Sequence, residues 1–141
     1  MSMDLERAKA MLAQGEYTCV LCNGHRTHHS TQRGVRPLLE WLDSGTDLMG
    51  FSAADKVVGR GAAFLYRLLG VRCVHGEVMS VEAVKVLRAG GVEVSWGTLT
   101  ESIMNRQKNG TCPMELVTRN IQEPETALYM IRATLEKLQQ K

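Results

Sequence analysis

The segment SAADKVVGRGAAFLYRLLG, residues Ser52 to Gly70, decides the prediction of the fold. Its apolar side chains recur at steps of three and four residues, which is the pattern of a helix with one wide buried face. Ser52, followed three residues later by Asp55, has the form of a capping box, and Gly70 is placed to end a helix in the left-handed conformation. We therefore predict one buried helix over the whole segment.

Two glycines lie inside this predicted helix. Gly59 and Gly61 each cost about 1 kcal/mol of helix propensity relative to alanine. A helix that keeps both indicates that another backbone, or a ligand, approaches closely at this point. Gly59 is accordingly a candidate ligand-contact residue.

The composition is that of an ordinary globular domain. The chain has 141 residues, of which 44% are hydrophobic and 23% charged, and these values suit one domain with its own core. We expect a single domain over residues 1–141, with an N-terminal helix in 1–15, a core in 16–123 and a C-terminal helix in 124–141. The net charge of +2 gives no reason to expect nucleic acid as a partner. No apolar run approaches the roughly 20 residues of a membrane helix, so we expect no membrane contact.

The start of the chain and its cysteines indicate a compartment. The segment MSMDLERAKAML lacks the positive start and apolar run of a secretory signal. Four cysteines without such a signal are most simply reduced thiols. We therefore expect a cytoplasmic protein.

The segment from Glu16 to Ser30 predicts a β-hairpin around the turn Asn23-Gly24. It also contains five residues of types that bind metals: Cys19, Cys22, His25, His28 and His29. In a hairpin with this turn, Cys22 and His25 point to one side of the sheet, while Cys19 and His28 point to the other. Each face then offers about two ligands, whereas a structural zinc ion takes four. We therefore expect no metal site unless this segment is a loop.

The segment from Arg33 to Pro37 leads into a second helix, with Pro37 near its first position. Arg33 and Arg36 flank a glycine just before this helix, where free backbone N–H groups and guanidinium groups converge on an anion site. The alternative is that both arginines are solvated or paired with nearby acids. Arg36 is a candidate ligand-binding residue.

The middle of the chain predicts a strand–helix–strand unit with parallel strands. Val71 to Met79 is the first strand, Ser80 caps the helix Val81 to Ala89, and Val92 to Trp96 is the second strand. Glu77, near the end of the first strand, lies where open α/β sheets bind ligands. Glu77 and Ser80 are therefore candidate ligand-binding residues, although a salt-bridged Glu77 is an alternative.

Cys112 gives the main chemical signal. We predict a helix over Thr98 to Arg106, then a polar loop, then a helix that begins at Pro113 with Cys112 as its cap. A thiol at a helix N-terminus is favoured as the thiolate, and Arg106 close by strengthens this effect. Glu115 in the same turn is a candidate proton carrier. The alternative is a buried cysteine that acts as a small hydrophobic residue.

Four segments together resemble one family: RGVRPLLEWL at 33–42, AADKVVGRGAAFL at 53–65, EVMSVEAVKVL at 77–87 and NRQKNGTCPMEL at 105–116. They are similar to the uncharacterised bacterial family DUF1893. That family resembles the cytidine deaminases in fold. The resemblance implies an α/β protein that forms a three-layer α/β/α sandwich with a mixed sheet.

The zinc motifs of the cytidine deaminases are absent. Those enzymes carry a His- or Cys-x-Glu motif at the start of the central helix and a Cys-x-x-Cys pair at the start of the helix after the next strand. Here the two positions read Ala54-Asp55-Lys56 and Ser80-Val81-Glu82-Ala83. We therefore expect neither a metal nor another cofactor. The resemblance implies a pocket at the deaminase location, and its candidate lining residues are Asp55, Lys56, Glu77, Ser80, Cys112 and Glu115. Asn105 and Arg106, at the end of the helix predicted before Cys112, are further candidate ligand-binding residues.

Three functions follow from these residues, and whether the protein is an enzyme stays open. The first is binding of a small ligand, anionic or nucleotide-like, through Arg36, Lys56 and the helix starts. The second is a zinc-free enzyme with Cys112 as nucleophile and Asp55, Lys56 or Glu115 as proton carriers. The third is a non-catalytic interaction module. The first two require Cys112, Asp55 and Lys56 to share one concave site. The apolar helices at both ends also allow a homodimer.

Overall fold

The computed structural model describes residues 3–103 and 110–139. Within these ranges the chain forms six helices and five strands. The helices are α1 (Met3–Ala13), α2 (Arg36–Ser44), α3 (Arg60–Leu69), α4 (Val81–Ala89), α5 (Pro113–Thr118) and α6 (Pro124–Gln139). The strands are β1 (Cys19–Asn23), β2 (Arg26–Ser30), β3 (Ser52–Val58), β4 (Cys73–Ser80) and β5 (Glu93–Thr100).

The five strands form one mixed sheet in the order β2-β1-β3-β4-β5. Strand β1 runs antiparallel to both of its neighbours, whereas β3, β4 and β5 are parallel to one another. Helices α3 and α4 connect the parallel strands, as parallel pairing requires. The α/β class, the mixed sheet and the parallel strand–helix–strand unit are thus confirmed.

Hydrophobic side chains cover both faces of the sheet. Alternate residues of β1 divide between the faces: Cys19 and Leu21 belong to a large core, and Val20 and Cys22 to a small one. Residues of α2, α3, α4 and α6 complete the large core, whereas α1 closes the small core. The sheet therefore lies between one helix on one side and several helices on the other.

The prediction of a single helix from Ser52 to Gly70 is wrong in its first half. Ser52–Val58 is strand β3, which lies between β1 and β4, and the helix begins only at Arg60. A central strand with helices on both faces is apolar on both sides, so its pattern also fits a helix. Gly59 joins the two elements in an extended conformation. Gly70 ends the helix at φ +76°, as predicted.

The predicted hairpin is present, but its turn lies one residue later in the chain, so each residue of β1 pairs two residues further along β2 than predicted. Asn23 pairs with Arg26, so the loop residues are Gly24 and His25 rather than Asn23 and Gly24. Cys22 consequently lies opposite Thr27 and not opposite His25. Gly24 has φ +60°, and tight hairpin loops require a positive φ at their first residue, which glycine adopts without strain.

In the second half of the chain, the helices and strands begin and end close to the predicted positions, with one exception. The hydroxyl of Ser80 caps α4 and accepts a hydrogen bond of 3.0 Å from the N–H of Ala83. Strand β5 extends to Thr100, because it pairs along the whole of β4. The predicted helix from Thr98 is therefore wrong over residues 98–103, none of which is helical, and 104–106 lie outside the described residues.

Candidate functional site

A cavity of about 920 Å³ opens where β3 ends and α3 begins. Its walls come from the start of β1, the segment before α2, the end of β3, and helices α3, α5 and α6. The charged and thiol side chains in its wall are Arg33, Arg36, Asp55, Lys56, Cys112 and Glu115, together with the buried Cys19. The three residues that the first two hypotheses require in one site therefore line one cavity.

Asp55 lies at the floor of this cavity. It is almost fully buried on β3, where Tyr66 donates a hydrogen bond of 2.6 Å from its hydroxyl to Oδ2. The backbone N–H of Val57 donates a longer bond of 3.4 Å to Oδ1. Burial outweighs these bonds and raises the pKa of Asp55 to about 7. A carboxyl group that titrates near neutrality can both give and take a proton at physiological pH.

A tyrosine and a cysteine extend this polar group into the core. The Sγ atom of Cys19 lies 3.1 Å from the hydroxyl oxygen of Tyr66, which in turn contacts Asp55. Burial, with the charge of Asp55, raises the pKa values of both Cys19 and Tyr66 well above their usual range, so both stay protonated. The sequence did not predict that Tyr66 and Cys19 belong to the site. The one feature of the sequence that could have indicated it is a tyrosine on the buried face of α3.

Glu115 lies against Gly59 in the cavity wall. Its side chain belongs to the first turn of α5, and the residue is only 6% exposed. A Cβ atom at position 59 would lie 2.8 Å from Oε1 of Glu115. The close approach predicted from the glycines is therefore real, but the group that approaches Gly59 is a carboxylate of the chain itself. At Gly61 the close neighbour is the side chain of Met114, which would lie 3.1 Å from an added Cβ atom.

Cys112 lies in the wall of the cavity. It occupies the cap position of α5, as predicted, but its side chain makes no capping hydrogen bond. Its backbone N–H donates to the carbonyl oxygen of Ile103 at 2.8 Å. Cys112 is half-buried, whereas Cys19, Cys22 and Cys73 are fully buried, and all four thiols are free of disulfide bonds. The accessible thiol of the chain thus lies at the candidate site.

Basic side chains lie in the same cavity wall. Lys56 is half-buried on β3, and Arg33 is exposed in the segment before α2. Neither forms an ion pair with an acidic group within residues 3–103 and 110–139. Arg36, at the start of α2, also lines the cavity. The cavity therefore has both acidic and basic groups in its wall.

Other predicted site residues lie elsewhere. Glu77 is exposed on β4, and Ser80 is buried as the cap of α4, so neither lines the cavity. Asn105 and Arg106 lie outside the described residues. Because α3 begins at Arg60, Asp55 does not occupy the start of the central helix; that position reads Gly59-Arg60-Gly61, which also contains no zinc ligand.

Arg60 is a buried ion-pair residue that sequence reasoning missed. Its guanidinium group donates to the carbonyl oxygens of Thr118, at 2.6 Å, and Ile121. It also pairs with Glu82 of α4, with 3.0 Å between Nη1 and Oε1. Arg60 thereby ties the start of α3 to α4 and to the chain after α5. No local pattern indicated this, because the three acceptors lie 22 to 61 residues away in the sequence.

The histidines of the hairpin pack against aromatic rings. The ring centroid of His28 lies 5.7 Å from that of Phe51, and the ring centroid of His29 lies 4.3 Å from that of Tyr17. Cys19 and Cys22 belong to cores on opposite faces of the sheet. Within the part of the chain that the structure describes, no three His, Cys, Asp or Glu side chains group as metal ligands, and no helix is long and apolar enough to cross a membrane.

Comparisons with known proteins agree on one family. A family model described as a domain of unknown function, DUF1893, matches residues 7–135. The crystal structure of a DUF1893 family protein, TM1506 from Thermotoga maritima, superposes with a TM-score of 0.83 at 24% sequence identity. The match covers 97% of this chain and 92% of that one, and at this identity it supports the fold alone. No curated protein matches the chain.

Proposed function

Starting from the fact that the chain belongs to the DUF1893 family, a domain of unknown function, we propose that it binds a small anionic or nucleotide-like ligand in the cavity beside Asp55, Lys56 and Cys112. The observation that carries this proposal is the cavity of about 920 Å³ in which these three residues meet. A ligand pocket of this size, with few polar groups in a largely apolar wall, is typical of small-molecule sites. A non-catalytic interaction module without a ligand site would give no reason for Asp55, Lys56 and Cys112 to line one cavity.

The anionic character of the ligand is inferred from the basic side chains. Lys56 and Arg33 line the cavity without an acidic partner among the residues described. A half-buried lysine ammonium group that lacks a counter-ion gains most from a charged ligand oxygen, because charge-assisted hydrogen bonds are about twice as strong as neutral ones. A phosphate or carboxylate group satisfies both side chains.

We also infer that the scaffold is of the cytidine deaminase type without its zinc. The mixed sheet with helices on both faces supports this inference. In the deaminases the zinc ligands lie at the starts of two successive helices, and here the starts of α3 and α4 carry Arg60 and Glu82, joined by an ion pair. We infer that this ion pair holds together the two helix starts that a zinc ion joins in the deaminases. The proposed ligand therefore binds in the neighbouring cavity and not between the helix starts.

Thermal shift and isothermal titration with AMP and inorganic phosphate test the binding proposal. We expect AMP to raise the Tm of the protein, and we expect Lys56→Met to weaken AMP binding at least fivefold, on the order of 1 kcal/mol. Lys85→Met is the matched control, because Lys85 lies exposed on α4 away from the cavity. If neither compound binds at millimolar concentration, or if both variants weaken binding equally, the proposal is wrong.

A zinc-free enzyme with Cys112 as nucleophile is the second candidate. The observation that favours it is the accessible thiol in the same cavity as Asp55, whose pKa of about 7 suits proton transfer. We expect iodoacetamide to add a single carbamidomethyl group to the native protein, at Cys112, as mass spectrometry of peptides can show.

Two variants separate this reactivity from mere exposure. Cys112→Ala should abolish the single modification, whereas Cys73→Ala should leave it intact. Lys56→Met should slow the reaction if its ammonium group stabilises the thiolate. Equal reaction of all four cysteines would remove the support for the enzyme candidate and leave the binding proposal standing.

A further inference from the structure

We propose that Glu115 accepts a hydrogen bond from a nitrogen donor of the ligand, so that the ligand carries both an anionic group and an N–H group. The inference rests on the proposed function, because it assigns the ligand class of the same cavity. It starts from the carboxylate of Glu115 and from the basic side chains that line the same cavity.

The carboxylate of Glu115 is buried and incompletely bonded. Glu115 is 6% exposed, and its Oε1 atom has no hydrogen-bond partner among the residues described. Within residues 3–103 and 110–139, no other buried side-chain oxygen or nitrogen atom lacks a hydrogen-bond partner. An unsatisfied buried acceptor is unfavourable by about 1–3 kcal/mol, and more when it is charged, so its retention needs a reason.

Contacts among residues 3–103 and 110–139 do not supply that reason. The guanidinium group of Arg60, the buried cation at the start of α3, bonds instead to Glu82, Thr118 and Ile121. Gly59 leaves the space that the carboxylate occupies, since a Cβ there would lie 2.8 Å from Oε1. The chain thus keeps a glycine at the start of a helix and leaves a carboxylate oxygen unpaired beside it, in the wall of a cavity.

The two kinds of charge define the ligand. The carboxylate of Glu115 accepts hydrogen bonds and therefore favours a donor group on the ligand. Arg33 and Lys56 in the same wall favour an anionic group. A molecule with an amine or amide N–H at one end and a phosphate or carboxylate at the other satisfies both. Two sources share this chemistry: a nucleotide with an amino group on its base, and an amino acid with its ammonium and carboxylate groups.

Two matched pairs of probes test the donor requirement by isothermal titration. AMP is compared with purine riboside 5′-monophosphate, which has no N–H group on its base, and L-phenylalanine is compared with 3-phenylpropionate, which lacks the amine. We expect the amine-bearing member of one pair to bind at least tenfold more tightly than its partner, and the pair that shows the difference identifies the source. Glu115→Gln should abolish this preference, and Glu125→Gln, at an exposed position of α6, should not.

The outcomes separate this inference from the proposed function. If the probes bind but the members of each pair bind equally, the donor contact is wrong while the binding proposal stands. If no probe binds at millimolar concentration, both fail. The ligand-free protein gives an independent readout: Glu115→Gln should keep or raise the Tm, because Oε1 has no partner to lose in the described part of the chain. A fall of more than about 5 °C would assign Glu115 a structural role and overturn the inference.

Discussion

Asp55 illustrates at the residue scale how the environment sets the chemistry of a side chain. Its carboxyl group accepts a hydrogen bond from the hydroxyl of Tyr66, which also contacts the thiol of Cys19, and it lies on a strand that is buried on both faces. Burial raises the pKa of this group by more than its hydrogen bonds, the one from Tyr66 above all, lower it, so the pKa reaches about 7. In the capping-box position predicted from the sequence, the helix N-terminus would instead have favoured the ionised form of this carboxyl group.

The raised pKa of Asp55 predicts a pH-dependent stability. Because the folded-state pKa of about 7 exceeds the ordinary value of 3.8, the folded protein binds more protons than the unfolded chain between these pH values. The stability contributed by the protonated group is therefore present below about pH 4 and is lost as the pH rises to about 7. The loss is on the order of 4 kcal/mol, and Asp55→Asn should remove it.

Urea unfolding of both proteins at several pH values checks this prediction. The unfolding free energy of Asp55→Asn minus that of the natural chain should increase steadily between about pH 4 and pH 7 and then level off. Glu125→Gln, which changes an exposed carboxylate, should show no such trend. A difference that is independent of pH would mean that Asp55 is ionised throughout.

At the scale of elements, the junction between β3 and α3 positions the cavity. Strand β3 delivers Asp55 and Lys56 to the end of the sheet, and Gly59 turns the chain into α3. Helix α5 then packs its first turn against this junction, with Glu115 beside Gly59 and Met114 beside Gly61. The absence of side chains at these two glycines is what lets α5 approach so closely.

Gly59→Ala should therefore destabilise the junction. The added Cβ would meet Oε1 of Glu115 at 2.8 Å and the side chain of Ile103 at 3.0 Å, and overpacking of this kind costs about 1–3 kcal/mol. Because φ at Gly59 is −102°, backbone strain does not contribute. The cost should be at least about 0.5 kcal/mol smaller when Glu115 is alanine, which a double-mutant cycle in urea measures. Additive effects would contradict a direct contact.

At the scale of the whole molecule, Arg60 joins parts of the chain that lie far apart in the sequence. Its guanidinium group binds the end of α5, the segment after it and the first turn of α4. These contacts hold α5, with Cys112 and Glu115, in place over the end of the sheet. The geometry of the cavity thus depends on a residue that does not line it.

Replacement of the two partners of this ion pair should have unequal effects. Arg60 is 3% exposed, and Arg60→Leu leaves a carboxylate and two backbone carbonyl oxygens without their donor, which should cost at least about 3 kcal/mol. The side chain of Glu82 is 41% exposed, so Glu82→Gln should cost less than about 1 kcal/mol. Urea unfolding measures both, and equal losses would show that the ion pair itself, rather than the carbonyl contacts, is decisive.

The sequence was enough to single out part of the cavity wall. Asp55 and Lys56 were chosen from the family resemblance and Glu115 from its place in the turn after Cys112, and all three line the cavity. Tyr66 and Arg60 were missed, because each acquires its role through contacts with elements far along the chain. Glu77 was chosen from its place near a strand end, a signal that gives no information on which strand ends meet a cavity.

The sequence by itself determined several ends of helices. Gly45 and Gly70 adopt positive φ and end their helices, and Ser80 caps α4, since these signals act over only a few residues. Only the tertiary structure decided that residues 52–58 form a strand and that the hairpin turn lies one residue later than predicted. Strand pairing and burial join residues distant in sequence, and a segment that is apolar on both sides fits a strand and a helix equally well until its neighbours are in place.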